Sequence, residues 1–138
     1  MKNKVVKKLQ HHVFFVHSLE VSKQFYMDVL DINFSADNSP TTSAAMYLIG
    51  QSMNFYSFGK YHHDICLVHN PKFKMVPDDD MLHVTFKLNP SKKLVHLKEK
   101  LQQKNISFKE GRILQSQNQA VNAIHFKDPS GNVLEIIE

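Results

Sequence analysis

The chain has no tryptophan, a single arginine and a single cysteine among its 138 residues. Cys66 therefore has no partner for an internal disulfide bond. The first fifteen residues also lack the apolar run followed by small residues that marks a signal peptide. Both absences favour a reducing compartment, and the sequence predicts a cytoplasmic protein. No apolar stretch approaches the roughly 18 residues that a membrane helix needs, which predicts that the chain does not enter a membrane.

The positive charge is not concentrated in a way that suits nucleic acid. The formal net charge of +4 comes from sixteen lysines and one arginine, and the lysines are scattered rather than interleaved with aromatic residues. A nucleic-acid partner is therefore not expected. With 42% hydrophobic residues, the chain can bury one core, so residues 1–138 are predicted to form a single domain.

Short apolar runs and one helical segment alternate through the first half of the chain. Lys8 to Val16 is rich in β-branched and aromatic residues and predicts a strand, and the segment that Ser18 opens has helical spacing as far as Leu30. Further strands are predicted over Ile32–Ala36, Ala44–Ile49, Met53–Phe58 and Ile65–Val68, with a turn at Asn38–Pro40 and a connecting loop over Asn70–Asp80.

The second half repeats this order. Met81 to Leu88 alternates like a strand, and Pro90 to Lys104 carries apolar residues at helical spacing. Three more strands are predicted over Ile106–Gly111, Ala120–Lys127 and Val133–Ile137, the last two joined by the Asp-Pro-Ser-Gly turn that starts at Asp128. The period of about 70 residues suggests a duplication, with module one at about 8–70 and module two at about 81–138.

Strand parity selects the candidate functional side chains. Successive residues of a strand point to opposite faces, so His83 lies opposite the apolar Val84 and points away from the helix. Glu135 shares its face with neither Leu134 nor Ile136, and it is either solvated or turned into a cavity. His11 and His12 must point to opposite faces, and either could be a ligand. Two imidazoles and one carboxylate on one face can hold a divalent ion.

These residues resemble the vicinal oxygen chelate superfamily over nearly the whole chain. The resemblance lies in the histidine strand before Ser18-Leu19, in Phe25-Tyr26-Met27-Asp28-Val29-Leu30, in His83-Val84-Thr85-Phe86, and above all in the segment from Phe126 to Glu135. This superfamily includes glyoxalase I, fosfomycin-resistance thiol transferases, extradiol dioxygenases and bleomycin-resistance proteins. The resemblance implies an α+β fold of two βαβββ modules that form curved mixed sheets.

The resemblance also implies a ligand set. Counting back from Phe25-Tyr26 by the spacing usual in the family places the first ligand at His11 rather than His12, and His83 and Glu135 fall on the later ligand positions. The metal would be Fe, Mn, Zn, Ni or Co, and Glu135 would also be the catalytic residue. His63, Asp64 and Cys66 are the candidates for a fourth ligand or for a side chain that orients one. His125 matches no family position and is interpreted as a surface or core residue.

Two departures narrow the chemistry that the resemblance implies. Glyoxalase I members usually add a glutamate at the end of the first half, where this chain has His62 to Cys66. Extradiol dioxygenases usually carry a tyrosine two residues after the last ligand, where this chain has Ile137, and a histidine in the preceding loop, which here reads Ser116 to Asn118. The chain therefore lacks the acid–base residues with which extradiol dioxygenases cleave a catechol ring.

The resemblance predicts a metal-dependent enzyme that acts on a small polar substrate through two oxygen atoms, as a lyase, thiol transferase or dioxygenase. The alternative is a metal-free protein that sequesters a small ligand, as bleomycin-resistance proteins do. In short relatives such as glyoxalase I and the fosfomycin-resistance proteins, the two modules that surround a metal site come from different chains, whereas other members of the superfamily pair the modules within one chain. The chain is therefore predicted to be a homodimer, with His11 from one copy and with His83 and Glu135 from the other.

Overall fold

Each half of the chain folds as a strand, a helix and three strands. The computed structural model describes residues 4–37, 52–75 and 81–138. Its elements are β1 His12–Val16, α1 Leu19–Leu30, β2 Asn33–Asp37, β3 Met53–Ser57, β4 Ile65–His69, β5 His83–Lys87, α2 Leu94–Gln103, β6 Phe108–Ser116, β7 Gln119–Lys127 and β8 Val133–Ile137. The predicted α+β fold of two βαβββ modules is confirmed. The turn predicted at Asn38–Pro40 and the strand predicted at Ala44–Ile49 lie outside the described residues.

The two modules build the same kind of sheet. The strand order is β1-β4-β3-β2 in the first sheet and β5-β8-β7-β6 in the second. In each sheet the first strand pairs in parallel with the last strand of its module, and the remaining pairs are antiparallel. The first strand of a module therefore lies at the edge of its mixed sheet, beside the strand that closes the module.

Local sequence signals explain the bounds of the first helix. Ser18 caps α1 by accepting a hydrogen bond from the Val21 amide at 3.2 Å, as predicted, and Asp31 ends the helix in the left-handed region at φ 54°. Among the strands, two differ most from the predicted bounds. The first strand begins at His12 instead of Lys8, and β6 extends to Ser116 instead of ending at Gly111. The part of β6 beyond Gly111 is mostly exposed on both faces. It therefore lacks the alternation of apolar and polar residues that predicts a strand.

One hydrophobic core joins both modules. It contains side chains of both helices together with the helix-facing residues of both sheets; the buried members are Phe14, Val16, Phe25, Tyr26, Val29, Ile32, Tyr56, Ile65, Leu67, Leu94, Leu97, Leu101, Ile124, Phe126, Leu134 and Ile136. The opposite face of each sheet, called the helix-free face below, is therefore covered by neither of the two helices in the described part of the chain. Neither of the two described helices is long and apolar enough to cross a membrane.

The turn between β7 and β8 fastens the second module to the first. Asp128, which is buried, accepts hydrogen bonds from the Tyr26 hydroxyl at 2.9 Å and from the Asn132 side chain at 2.8 Å. Asn132 also donates to the Phe15 carbonyl at 2.9 Å, and the Ser130 hydroxyl accepts from the His17 amide at 2.8 Å. The segment from Phe126 to Glu135, which carries most of the family resemblance, therefore also holds the two modules together.

We expect Tyr26→Phe to lower the free energy of unfolding by about 1–3 kcal/mol, because it removes one buried hydrogen-bond donor from the Asp128 carboxyl. Urea denaturation measures the change. Tyr61→Phe is the matched control, since Tyr61 is 37% exposed and should alter stability little. Equal stability of the two variants would contradict the role given to the Tyr26–Asp128 bond.

Candidate metal centre

Sheet pairing places three polar side chains in one row on the helix-free face of the second sheet. Thr85 of β5 lies opposite Glu135 of β8, and His125 of β7 lies opposite Glu135 from the other side. His83 precedes Thr85 by two residues and therefore points to the same face. Their neighbours Leu134 and Ile136 point into the core. Because side chains alternate along the strand, the Glu135 side chain points away from the helices and toward His83 and His125.

The Glu135 carboxylate is the centre of this cluster. It is 3% exposed, and its Oε1 accepts a hydrogen bond from the Thr85 hydroxyl at 2.8 Å. The same oxygen lies 3.7 Å from His83 Nε2, while Oε2 is in close contact with His125 Nε2. The two imidazole rings are 5.0 Å apart between centroids. A buried carboxylate is thereby fixed by one hydroxyl and faced by two imidazoles.

The donor set fits a divalent metal ion. One ligand atom from each of His83, His125 and Glu135 lies within 4.8 Å of the other two. Ligands bound at about 2.0–2.2 Å from one ion stand roughly 3–4 Å from one another, so the three groups need to move little to share an ion. Two neutral imidazoles and a carboxylate suit Fe, Mn, Zn, Ni or Co. The side chains present can therefore hold the kind of metal that the sequence predicts.

The interpretation of His125 as a surface or core residue leaves out its position beside Glu135. His125 lies in β7 directly opposite Glu135 and is one of the three candidate metal ligands, His83, His125 and Glu135, called the metal-binding group below. Its strand could have indicated this, because Ile124 and Phe126 are apolar and place His125 on the other face. Thr85 shares the face of His83 by the same alternation, but its bond to Glu135 depends on the parallel register of β5 and β8, which the sequence does not reveal.

His11 is not part of this group within one chain. Its ring lies on the first sheet, 4.7 Å from the ring of His63. His12 points the other way, with its ring in edge contact with Phe14 at 4.5 Å, and burial together with the nearby His11 lowers its pKa. The adjacent histidines therefore do face opposite ways. The prediction that His11 joins His83 and Glu135 stays a prediction, because it requires a second copy of the chain.

The three candidates for an additional ligand lie beside His11, on the first module. Burial, and then His11 and His62, lower the pKa of His63, which favours the neutral imidazole that binds metal. Asp64 instead accepts a hydrogen bond from the Phe58 amide at 2.7 Å and fixes the loop between β3 and β4. Burial raises the pKa of Cys66 to about 11, so its sulfur is a protonated thiol at neutral pH. Of the three, His63 offers a neutral ring nitrogen, and Cys66 is the least suited because its thiol keeps its proton.

The chain belongs to the Glyoxalase/Bleomycin resistance protein/Dioxygenase superfamily, whose sequence pattern matches residues 8–136. This match confirms the resemblance to vicinal oxygen chelate proteins. The superfamily contains metal-dependent enzymes as well as bleomycin-resistance proteins, so membership alone does not choose one reaction. Among curated protein sequences, no match is found.

Several solved structures are similar in fold. The fosfomycin resistance protein FosX from Listeria monocytogenes, in a mutant complexed with Mn(II) and 1S,2S-dihydroxypropylphosphonic acid, is 13% identical with a TM-score of 0.67, over 96% of this chain and 93% of that one. A glyoxalase family protein from Enterococcus faecalis is 15% identical with a TM-score of 0.66, over 96% and 98%. An integron cassette protein from the mobile metagenome of Halifax Harbour sewage outfall is 24% identical with a TM-score of 0.64, over 96% and 98%. These likenesses establish the fold.

Proposed function

We propose that this protein is a metal-dependent enzyme that acts on a small polar substrate through two substrate oxygen atoms. The observation that carries the proposal is the convergence of His83, His125 and Glu135 on one helix-free sheet face. The FosX structure with Mn(II) supports it, since a protein of this fold holds such an ion. A bound divalent ion supplies a Lewis acid that stabilises negative charge developing on a substrate oxygen.

The chain's own side chains have distinct roles in this proposal. His83, His125 and Glu135 hold the ion, and the Thr85 hydroxyl keeps the Glu135 carboxylate in one orientation. Three or four protein ligands would leave positions for two substrate oxygens on a six-coordinate ion. Lys109 of β6 lies opposite His125 in the same row and adds positive charge at this face, whereas Arg112 points to the other face and donates to the Ala120 carbonyl at 3.2 Å.

We further propose that a second copy of the chain completes the site with His11. The helix-free face of the first sheet carries a buried apolar cluster of Met53, Phe55, Cys66 and Val68. Beside it Val13 and Phe15 remain 48% and 45% exposed within one chain. Exposed apolar side chains of this size favour burial against a partner. A homodimer that covers this face would bring His11 of one copy to the metal-binding group of the other.

Binding of a chelating probe tests the proposed function. Acetohydroxamate, which offers two oxygens to one metal ion, is expected to change the visible absorption of the Co(II)-loaded protein, because two coordination positions are open. The Glu135→Ala variant under the same conditions is the control, and it should give no protein-bound Co(II) spectrum. An unchanged spectrum of the loaded protein at saturating acetohydroxamate would contradict bidentate substrate binding and favour a sequestering protein.

A further inference from the structure

A cavity lies away from the metal-binding group, at the junction of the two modules. It has a volume of about 890 Å3 and is bounded by the end of α1, the edge strand β5 and the first turns of α2. Cavities that bind small molecules usually measure about 300–1,000 Å3 and often form where two structural units meet. None of His83, His125 and Glu135 lines it, and Thr85 marks its boundary with the metal centre.

The floor of this cleft is apolar. Val29 and Ile32 of the first module face Leu97 and Ile136 of the second, and all four are at most 9% exposed. One wall is formed by Phe58, which is 60% exposed and has its ring 6.1 Å from the ring of Phe86, and both aromatic side chains line the cleft. A ligand seated on this floor would bury apolar surface.

The rim of the cleft is cationic. Lys87, Lys92, Lys93 and Lys100 line it, and among the described residues around it Asp31 is the only acid. Asp31 lies 3.6 Å from Lys100 across the cleft, which leaves three lysines without an opposing acid in the lining. Positive charge focused in a cleft with apolar walls raises the local concentration of anions.

We propose that this cleft binds a small organic anion with an apolar body, such as an aryl or alkyl carboxylate or phosphate. The apolar body lies on the floor between the modules, and the anionic group meets the lysines at the rim. This binding does not require the metal centre. A negative result for the cleft would therefore leave the proposed enzymatic function unaffected, and a negative result for the metal centre would leave the cleft proposal unaffected.

Calorimetric titration of the full-length protein with phenyl phosphate and with benzoate tests this proposal. At least one of the two anions is expected to bind, and phenol, which has the same ring without the anionic group, should bind at least about tenfold more weakly. The double variant Lys92→Gln, Lys93→Gln and the single variant Phe58→Ser should each weaken anion binding about tenfold, a change of about 1.4 kcal/mol. Lys104→Gln, an exposed lysine beyond the end of the same helix and outside the cleft, is the matched control and should bind as the unchanged protein does.

Three results would overturn the proposal. The first is that neither anion binds at millimolar concentration, and the second is that phenol binds as tightly as the anions. The third is that the cleft variants bind normally while Glu135→Ala does not, which would place the anion at the metal centre. Circular dichroism verifies that each variant keeps its fold; the side chains of Phe58, Lys92, Lys93 and Lys104 are exposed, whereas Glu135 is buried, so this check matters most for Glu135→Ala.

Discussion

Replacing Glu135 by alanine is expected to lower the affinity for a divalent ion by more than about 100-fold while the fold remains. Side chains that merely orient a metal ligand contribute about 10–100-fold in affinity, and Glu135 is the one anion of the group, in contact with both imidazoles. Stoichiometric binding of Mn(II) or Zn(II), followed by elemental analysis after gel filtration, measures the loss.

A glutamate at the end of the same strand provides the control for this substitution. Glu138 is exposed and accepts a hydrogen bond from the Asn122 side chain at 3.1 Å, away from the histidines. Glu138→Ala is therefore expected to keep full metal content. If Glu135→Ala also kept full content, the ion would be bound elsewhere on the chain.

Mixing two defective variants is expected to restore metal sites, because the proposed site takes His11 from one copy and Glu135 from the other. At an ion concentration too low to fill either variant alone, subunit exchange between His11→Ala and Glu135→Ala should refill about a quarter of the sites. Half of the dimers are then mixed, and each mixed dimer has one intact site and one that carries both defects. Analytical ultracentrifugation first establishes that the protein is dimeric.

His12→Ala is the matched control for the mixing experiment. The His12 ring packs on Phe14 rather than on the open face, so its loss should lower stability and leave metal affinity unchanged. Failure to refill any site despite demonstrated exchange would place all ligands on a single chain. Loss of metal in His12→Ala, with normal binding in His11→Ala, would mean that the predicted register of the first strand is wrong by one residue.

The repeat of strand, helix and strands could be predicted because each element carries its own periodicity. His83 and Glu135 could be placed on the helix-free face from the apolar residues beside them, such as Val84 and Leu134. The long hairpin of β6 and β7 was only partly predicted, since residues exposed on both faces leave no pattern that distinguishes a strand from a loop.

The composition of the metal-binding group could not be derived in full, because it depends on which strands are neighbours. His125 and Glu135 are ten positions apart, and they meet only because β7 and β8 pair in the register set by the Asp128 turn. Thr85 and Glu135 are fifty positions apart and meet through a parallel pairing. Strand parity assigns a face, but contact across strands requires the register.

Anomalous diffraction from crystals grown with MnCl2 tests the proposed metal centre most directly. We expect a peak in the anomalous difference map within about 2.0–2.3 Å of His83 Nε2, His125 Nε2 and a Glu135 carboxylate oxygen, with His11 of a second copy at the same ion. A map without a peak among these three side chains, in crystals that contain manganese elsewhere, would contradict the proposed metal centre.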